Sequence, residues 1–494
     1  MILQAASGPA LALAGWLIPR HVAGARRFSA VALLDVAPLA LVALTSFLAT
    51  GRPVFAGVIV FALGTGFAFV DRTIREVLRE PVVFTALSEL PQVFTHPHLY
   101  LPFAGTGAVL GGAAAAGVGA LALLIAEPPV LSPHPLVAVV MAGATSAALW
   151  LLGREPWLGT EAQALRRLEP DAEPFADAAR LGPFAMLIAH GVIARAERPM
   201  RQARLATPPI IGAAGSARTV VLVQCESFFD ARRALRDLPR ELLAAYDAAC
   251  DGGMYGQLIV PAWGANTMRA EFAVLTGIEE AALGYDRFNP YHALARGRIA
   301  SQVWRLRAAG YRTICLHPFD RRFFRRDLVM PELGFETFLG RETLGGSRNP
   351  PYLSDPALAD HILHVLDVEG PRTFIFAVTM GNHGPWFGPA GEWARYLDGL
   401  RQSDEMLGIL VDGLARRTGD AVLGFYGDHL PSLPRAFARL GFDDWRSDYV
   451  ICGAGATGRR DLFAHELGRS VVDLALADRN EAPVDAVVRE RHDA

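Results

Sequence analysis

Residues 219–230 read TVVLVQCESFFD. A valine-rich apolar run of this kind is what a central strand buried on both faces requires. Glu226 ends the run, and a carboxylate there costs several kcal/mol if it is desolvated without a partner. The stretch therefore puts Glu226 at the exposed end of a strand or beside a cation. A plain solvated loop acid is an equally open reading at this point.

Downstream, the short apolar runs YRTICLH, RTFIFAVTM, AVLGFYGD and SDYVICG alternate with longer helical patterns. That alternation predicts an α/β domain with a mostly parallel central sheet. Ligands of such sheets bind beyond the carboxyl ends of the strands. At or just past the ends of four of these runs stand Glu226, His317, His383, and Asp428 with His429. One His or Asp at a strand end is usually a cap or a surface residue; the recurrence carries the signal. Asp428 and His429 offer an oxygen and a nitrogen to one divalent ion, and Glu226 supplies the carboxylate that such an ion would compensate.

The first third of the chain is built differently. The 494 residues are 52% hydrophobic, and uncharged stretches at about 1–19, 36–51, 53–70, 99–126 and 128–153 approach or exceed the roughly 20 residues that cross a bilayer. Five spans are expected over 1–153, with the second short unless Asp35 enters the membrane. Residues 71–90 read as an amphipathic interfacial helix, and 154–216 as juxtamembrane helices and a linker before the α/β domain at 217–494. Arginines at 20–27 and 72–79 favour the cytoplasm, whereas five spans starting inside put both loops outside. The two rules disagree, and the odd span count is the basis for expecting an extracytoplasmic domain.

Several chemistries drop out. A net charge of −3 gives nucleic acid no basic field. All 47 basic residues are arginine, which removes Schiff-base lysines and the P-loop lysine. Cys225, Cys250, Cys315 and Cys452 form no CxxC pair, so a zinc-finger or thioredoxin reading fails. His361 and His364 lie one turn apart, but Ser354 or Asp355 ahead of Pro356 makes an ordinary capped helix there.

ANTMRAEFAVLTG at 265–277 resembles the nucleophile segment of the lipoteichoic acid synthase family, a membrane-anchored branch of the alkaline phosphatase/sulfatase superfamily, with Thr267 four residues before Glu271-Phe272. QCESF, the 317–338 segment, GNHGPW at 381–386 and YGDHLP at 426–431 are similar to further family segments, in family order. The resemblance implies an α-helical transmembrane anchor followed by an α/β sulfatase-like domain. It implies one divalent ion, manganese, held by Glu226, Thr267, Asp428 and His429, with Thr267 as nucleophile. It likewise implies that His317, Arg326 and His383 hold the substrate phosphate and head group. Phe319 and Phe324 depart from the family, standing where a polar or acidic residue and a tryptophan are usual. Glu271 reads as a residue that supports packing or orients neighbours, His292 as structural, and Arg325 as solvated.

The expected activity is a phosphoglycerol-type transfer from an anionic phospholipid, through phosphothreonine, to a glycan or polymer of the cell envelope, in a multi-pass protein of the cytoplasmic (inner) membrane. Phosphoethanolamine transfer shares this logic. A sulfatase needs a modifiable Cys or Ser in C/S-x-P-x-R, and none of the four cysteines offers it. A noncatalytic membrane scaffold is the remaining alternative, disfavoured because all four expected ligands are present.

Overall fold

The computed structural model describes residues 2–152, 157–206, 218–294, 299–345, 352–387, 389–417 and 420–477. Two compact units divide the chain. The first takes Met1–Arg201 with Gly284–Phe288, the second Gln202–Leu283 with Asn289–Ala494. The expected juxtamembrane region contributes helices Trp157–Arg166, Pro174–Leu181 and Pro183–Leu205, which fall largely in the first unit. Its linker, up to residue 216, lies outside the described residues from 207 on.

In the first unit, three described helices are long and apolar enough to cross a membrane: Val31–Thr50, Pro53–Leu78 and Thr106–Ala126. The other two expected spans are also helical, Ile2–Val22 and Pro135–Leu152, the latter apolar over Pro135–Ala147. Asp35 does enter its helix. It is buried, and it accepts from Arg20 Nη1 and Trp16 Nε1, each at 2.8 Å, and from the amides of Phe184 and Ala185. Those partners satisfy a carboxylate that the apolar pattern alone excludes. The interfacial helix expected at 71–90 is not one element: the spanning helix continues to Leu78, and a separate helix runs Ala86–Thr95.

The second unit is a nine-stranded mixed sheet with strands β1 Thr219–Cys225, β2 Met254–Ile259, β3 Arg312–Leu316, β4 Thr337–Leu339, β5 Thr373–Val378, β6 Ala421–Gly427, β7 Ser447–Cys452, β8 Gly458–Arg459 and β9 Leu462–Phe463. Their order is β4-β3-β5-β1-β6-β7-β2-β8, with β9 also on β2. β4, β3, β5, β1 and β6 are parallel neighbours, and β7 is antiparallel to β6 and β2. All five strand-like runs of the sequence are strands. The central strand is β1, in register with Phe374 of β5 and Val422 of β6 at Val220.

Alternation along β1 feeds two cores. Val220 and Leu222 enter one, and Val221, Val223 and Cys225 the other, so every side chain of the strand is removed from water, at about 1.5–3 kcal/mol for each large apolar one. Burial on both faces explains why the run lacks the polar alternation of a half-exposed strand. Helix Ala464–Leu476 covers the first face and packs on helix Thr267–Thr276. At that crossing a Cβ on Gly468 would stand 1.8 Å from the carbonyl oxygen of Val274. Backbone cannot yield as a side chain does. Gly468→Ala should therefore cost about 1–3 kcal/mol, read as a lower urea midpoint with unchanged slope; an unaltered midpoint would show that the helices part freely.

Candidate active site

The carboxyl end of β1 delivers Glu226, that of β6 delivers Asp428 and His429, and helix Thr267–Thr276 begins on Thr267. All four side chains are buried or nearly so. Among the described residues, Glu226, Asp428 and His429 form one cluster whose ligand atoms lie within 4.8 Å of one another. His429 Nε2 is 3.5 Å from Glu226 Oε1, 3.2 Å from Asp428 Oδ2 and 3.4 Å from Thr267 Oγ1. The four expected ligands thus converge.

Hydrogen bonds around the cluster fix its chemistry. His429 Nδ1 lies 2.9 Å from the carbonyl oxygen of Leu430, which can only accept, so the ring proton sits on Nδ1 and Nε2 presents a lone pair. Ser227 Oγ donates to Glu226 Oε1 at 2.9 Å, and the amides of Ser227 and His429 each donate to Asp428 Oδ1 at 2.9 Å. Asp428 Oδ2 is buried with no hydrogen-bond donor. Two carboxylates and a bare imidazole nitrogen therefore face one another with nothing positive between them. Burial, then the charge of Asp428, pushes the Glu226 carboxyl up to about 8. That donor set fits a divalent cation and little else.

This site should respond to pH. Glu226 keeps its proton in the metal-free site up to about pH 8, and a bound ion must displace it, so Mn2+ affinity should climb as pH rises from 6 to 8 and then level off. In the absence of metal, stability should fall as pH rises from the ordinary glutamate value toward 8, because the unfolded chain then holds Glu226 ionised and folding must take up a proton from solution; added Mn2+ should remove that fall. Calorimetric titration at several pH values checks the first statement. A pH-independent affinity would contradict it.

Ser227, Asn266, Phe324 and Arg325 all adopt left-handed backbone, with φ between 54° and 63°. Each adjoins a site residue: Ser227 comes after Glu226, Asn266 precedes Thr267, and the other two precede Arg326. Such conformations cost on the order of 1–3 kcal/mol each and persist where the surroundings over-determine them.

Of the other expected residues, His317 and Arg326 are fully buried. Arg326 Nη1 donates to His317 Nε2 at 3.2 Å, and its Nε and Nη2 lie on Glu271 at 2.8–3.2 Å. His383 is half-buried, its Nδ1 donating to the carbonyl of Gly384 at 2.6 Å, which leaves Nε2 as acceptor. Burial holds both imidazoles below the usual histidine range, Arg326 adding to the effect on His317. Arg325 Nη1 lies 3.2 Å from His292 Nδ1. His361 and His364 sit on helix Asp355–Glu369, whose Ser354 cap accepts from the amide of Ala357.

Sequence reasoning missed Ser227, Thr379, whose hydroxyl accepts from the Glu226 amide at 3.0 Å, and Tyr352. The Tyr352 ring stands 6.1 Å from His383 and 6.0 Å from Phe319, and burial with the nearby Glu226 charge pushes its hydroxyl up to about 12. The Glu-Ser pair was a readable signal for Ser227. Tyr352 had none.

Residues 218–475 match the Sulfatase family model. The chain belongs to the sulfatase family. A relative from Rhizobium meliloti (strain 1021), the capsular polysaccharide biosynthesis protein RkpI, is 31% identical over 458 residues, covering 88% of this chain and 83% of the relative. The integral membrane lipooligosaccharide phosphoethanolamine transferase A of Neisseria meningitidis superposes with a TM-score of 0.50 at 14% identity, over 96% of this chain and 95% of that one. The likeness is one of fold, apolar helices followed by an α/β domain. Lipoteichoic acid synthase LtaP of Listeria monocytogenes matches at 20% identity and TM-score 0.44, over 58% of this chain and 78% of that one.

Proposed function

We propose that this sulfatase-family chain is a membrane-anchored phosphotransferase that moves a phosphoglycerol-type head group from an anionic phospholipid to a cell-envelope glycan or polymer, through Thr267. The observation that carries the reading is the Thr267 hydroxyl, 3.4 Å from the bare Nε2 of His429, at the first position of a helix whose free amides favour an anion. The chain has no lysine, and so neither a Schiff-base nor a P-loop lysine.

Thr267 Oγ1 forms a bond to phosphorus while the bond from phosphorus to the diacylglycerol oxygen breaks; the threonine proton passes to solvent, and the diacylglycerol oxygen leaves with the electron pair and takes up a proton from solvent. Glu226, Thr267, Asp428 and His429 would hold a divalent ion, manganese in this reading, which would supply positive charge favouring loss of the hydroxyl proton and screening the phosphate. In the second half-reaction the acceptor oxygen bonds to phosphorus while the bond from phosphorus to Thr267 Oγ1 breaks; His383 Nε2, an acceptor in the resting site, takes the proton of the incoming hydroxyl, and the threonine oxygen takes one up from solvent. Arg326 and His317 border the phosphate. The name of the relative RkpI, a capsular polysaccharide biosynthesis protein, supports a glycan acceptor. In this reading the domain from 217 faces the outside of the cytoplasmic membrane, and a reporter fused near residue 210 should be active only when exported.

Phosphoethanolamine transfer is the second reading, favoured by the aromatic ring set of Phe319, Phe323 and Tyr352 beside His383. Few hydroxyl partners in such a wall mean weak discrimination for glycerol. Turnover of phosphatidylglycerol against phosphatidylethanolamine tests this. A strong phosphatidylglycerol preference, unchanged in Phe324→Trp, would show that the departures at Phe319 and Phe324 do not set head-group choice, and adduct formation from neither lipid would reject both readings.

A further inference from the structure

Beneath the ligand cluster the same elements build a second layer. β1 contributes Gln224 two residues before Glu226, β6 contributes Tyr426 two residues before Asp428, and the helix that opens on Thr267 contributes Glu271 one turn later; these spacings keep each on the side of its ligand. The layer is one hydrogen-bonded chain. Tyr426 Oη donates to Gln224 Oε1, Gln224 Nε2 to Glu271 Oε2 at 3.2 Å, and Tyr291 Oη to Glu271 Oε1 at 2.5 Å. Arg326 then grips both oxygens of Glu271, Nε at 2.9 and 3.2 Å and Nη2 at 2.8 Å, and passes Nη1 to His317 Nε2 at 3.2 Å. His317 Nδ1 faces the carbonyl of Val378 at 3.4 Å, so its proton is on Nδ1 and Nε2 accepts. Glu271 and His317 are 0% exposed and Arg326 1%.

With its oxygens taken by Arg326, Tyr291 and Gln224, Glu271 is placed as neither a base nor a metal ligand. Nor does it touch any of the four ligand side chains in these contacts. Its position on the nucleophile's own helix is what gives it a consequence. We propose that Glu271 is a positioning residue for phosphoryl transfer, fixing Arg326 and, through it, His317 at a set register from Thr267. The proposal rests on the functional reading above only in taking Thr267 as nucleophile.

The test uses the full chain with Mn2+ and an aryl phosphodiester, bis(p-nitrophenyl) phosphate, so that it does not depend on the donor lipid. Thr267 Oγ1 bonds to phosphorus, the bond to one nitrophenyl oxygen breaks, nitrophenolate leaves with the electron pair, and the threonine proton passes to solvent. In Glu271→Gln the burst rate per Mn2+-bound molecule should fall about 100-fold, the size of effect expected from misplacement on the ångström scale, while Mn2+ affinity stays within about twofold, because no ligand loses a partner. An unchanged burst rate would reduce Glu271 to packing, and a parallel loss of Mn2+ affinity would make it a support of the metal site; either result overturns the proposal. Should Glu271→Gln fail to fold, Tyr291→Phe removes the 2.5 Å hydrogen bond and keeps the ion pair. It should slow the burst about 3–10-fold at unchanged Mn2+ affinity, as loss of one hydrogen bond to a charged group allows; no slowing overturns the proposal. A wild-type chain that reacts with the aryl diester but with no phospholipid refutes the donor assignment and leaves the role of Glu271 intact. No burst from either substrate would overturn Thr267 as nucleophile and this proposal with it.

Discussion

Thr267→Ala is expected to fold normally and to form no phospho-adduct. The substitution removes the hydroxyl proposed as nucleophile, so turnover should drop by at least about 1,000-fold, as when a covalent step is lost while binding groups remain. Folding should suffer by less than about 1 kcal/mol, since a side chain at the start of a helix is exchanged for the best helix former and little packing is lost. The three-residue cluster of Glu226, Asp428 and His429 stays in place, and Mn2+ should still bind, more weakly by one ligand. Intact-protein mass spectrometry after incubation with phosphatidylglycerol reads the result: the wild type should gain the mass of one glycerophosphoryl group and the variant none. An adduct of equal occupancy on Thr267→Ala would sink the assignment.

Arg326→Ala should be the most damaging single change to stability. An exposed phosphate ligand, lost, weakens substrate binding by about 1.5–3 kcal/mol and leaves folding alone. Arg326 is instead 1% exposed and paired with Glu271, itself 0% exposed. Its removal strands a carboxylate in the core, at about 3–5 kcal/mol, a large share of the roughly 5–15 kcal/mol that holds a typical domain. Replacing both partners by neutral residues, Glu271→Gln with Arg326→Met, should recover most of that loss, because the uncompensated charge is gone. Urea unfolding of the wild type, the single variant and the double variant decides the matter. A single variant with an unaltered midpoint would mean that Arg326 is free to serve substrate alone.

The sequence by itself determined the elements and the ends that matter. β1, β3, β5, β6 and β7 were legible because strands buried on both faces must be apolar throughout, and Glu226, His317, His383, Asp428 and His429 were legible because chemistry in such sheets sits where those runs stop. Thr267 was not reachable by periodicity; its segment was found through resemblance. β2 and β4 escaped notice. β4 has three residues, and β2 is half-exposed, MYGQLI, with a glycine in its middle, so neither carries a run long enough to read. Only the tertiary structure decided what the buried charges do. Asp35 looks like an interruption of an apolar span until the amides of Phe184 and Ala185, some 150 residues on, close over it. Arg326 reads in sequence as a phosphate ligand, and nothing there shows that Glu271, 55 residues earlier, pairs with its guanidinium. A charge in a sequence is compatible with water, a substrate or a partner, and its desolvation energy depends on which of these the fold brings within about 3 Å. That distance is set by the packing of distant segments, which no local pattern encodes.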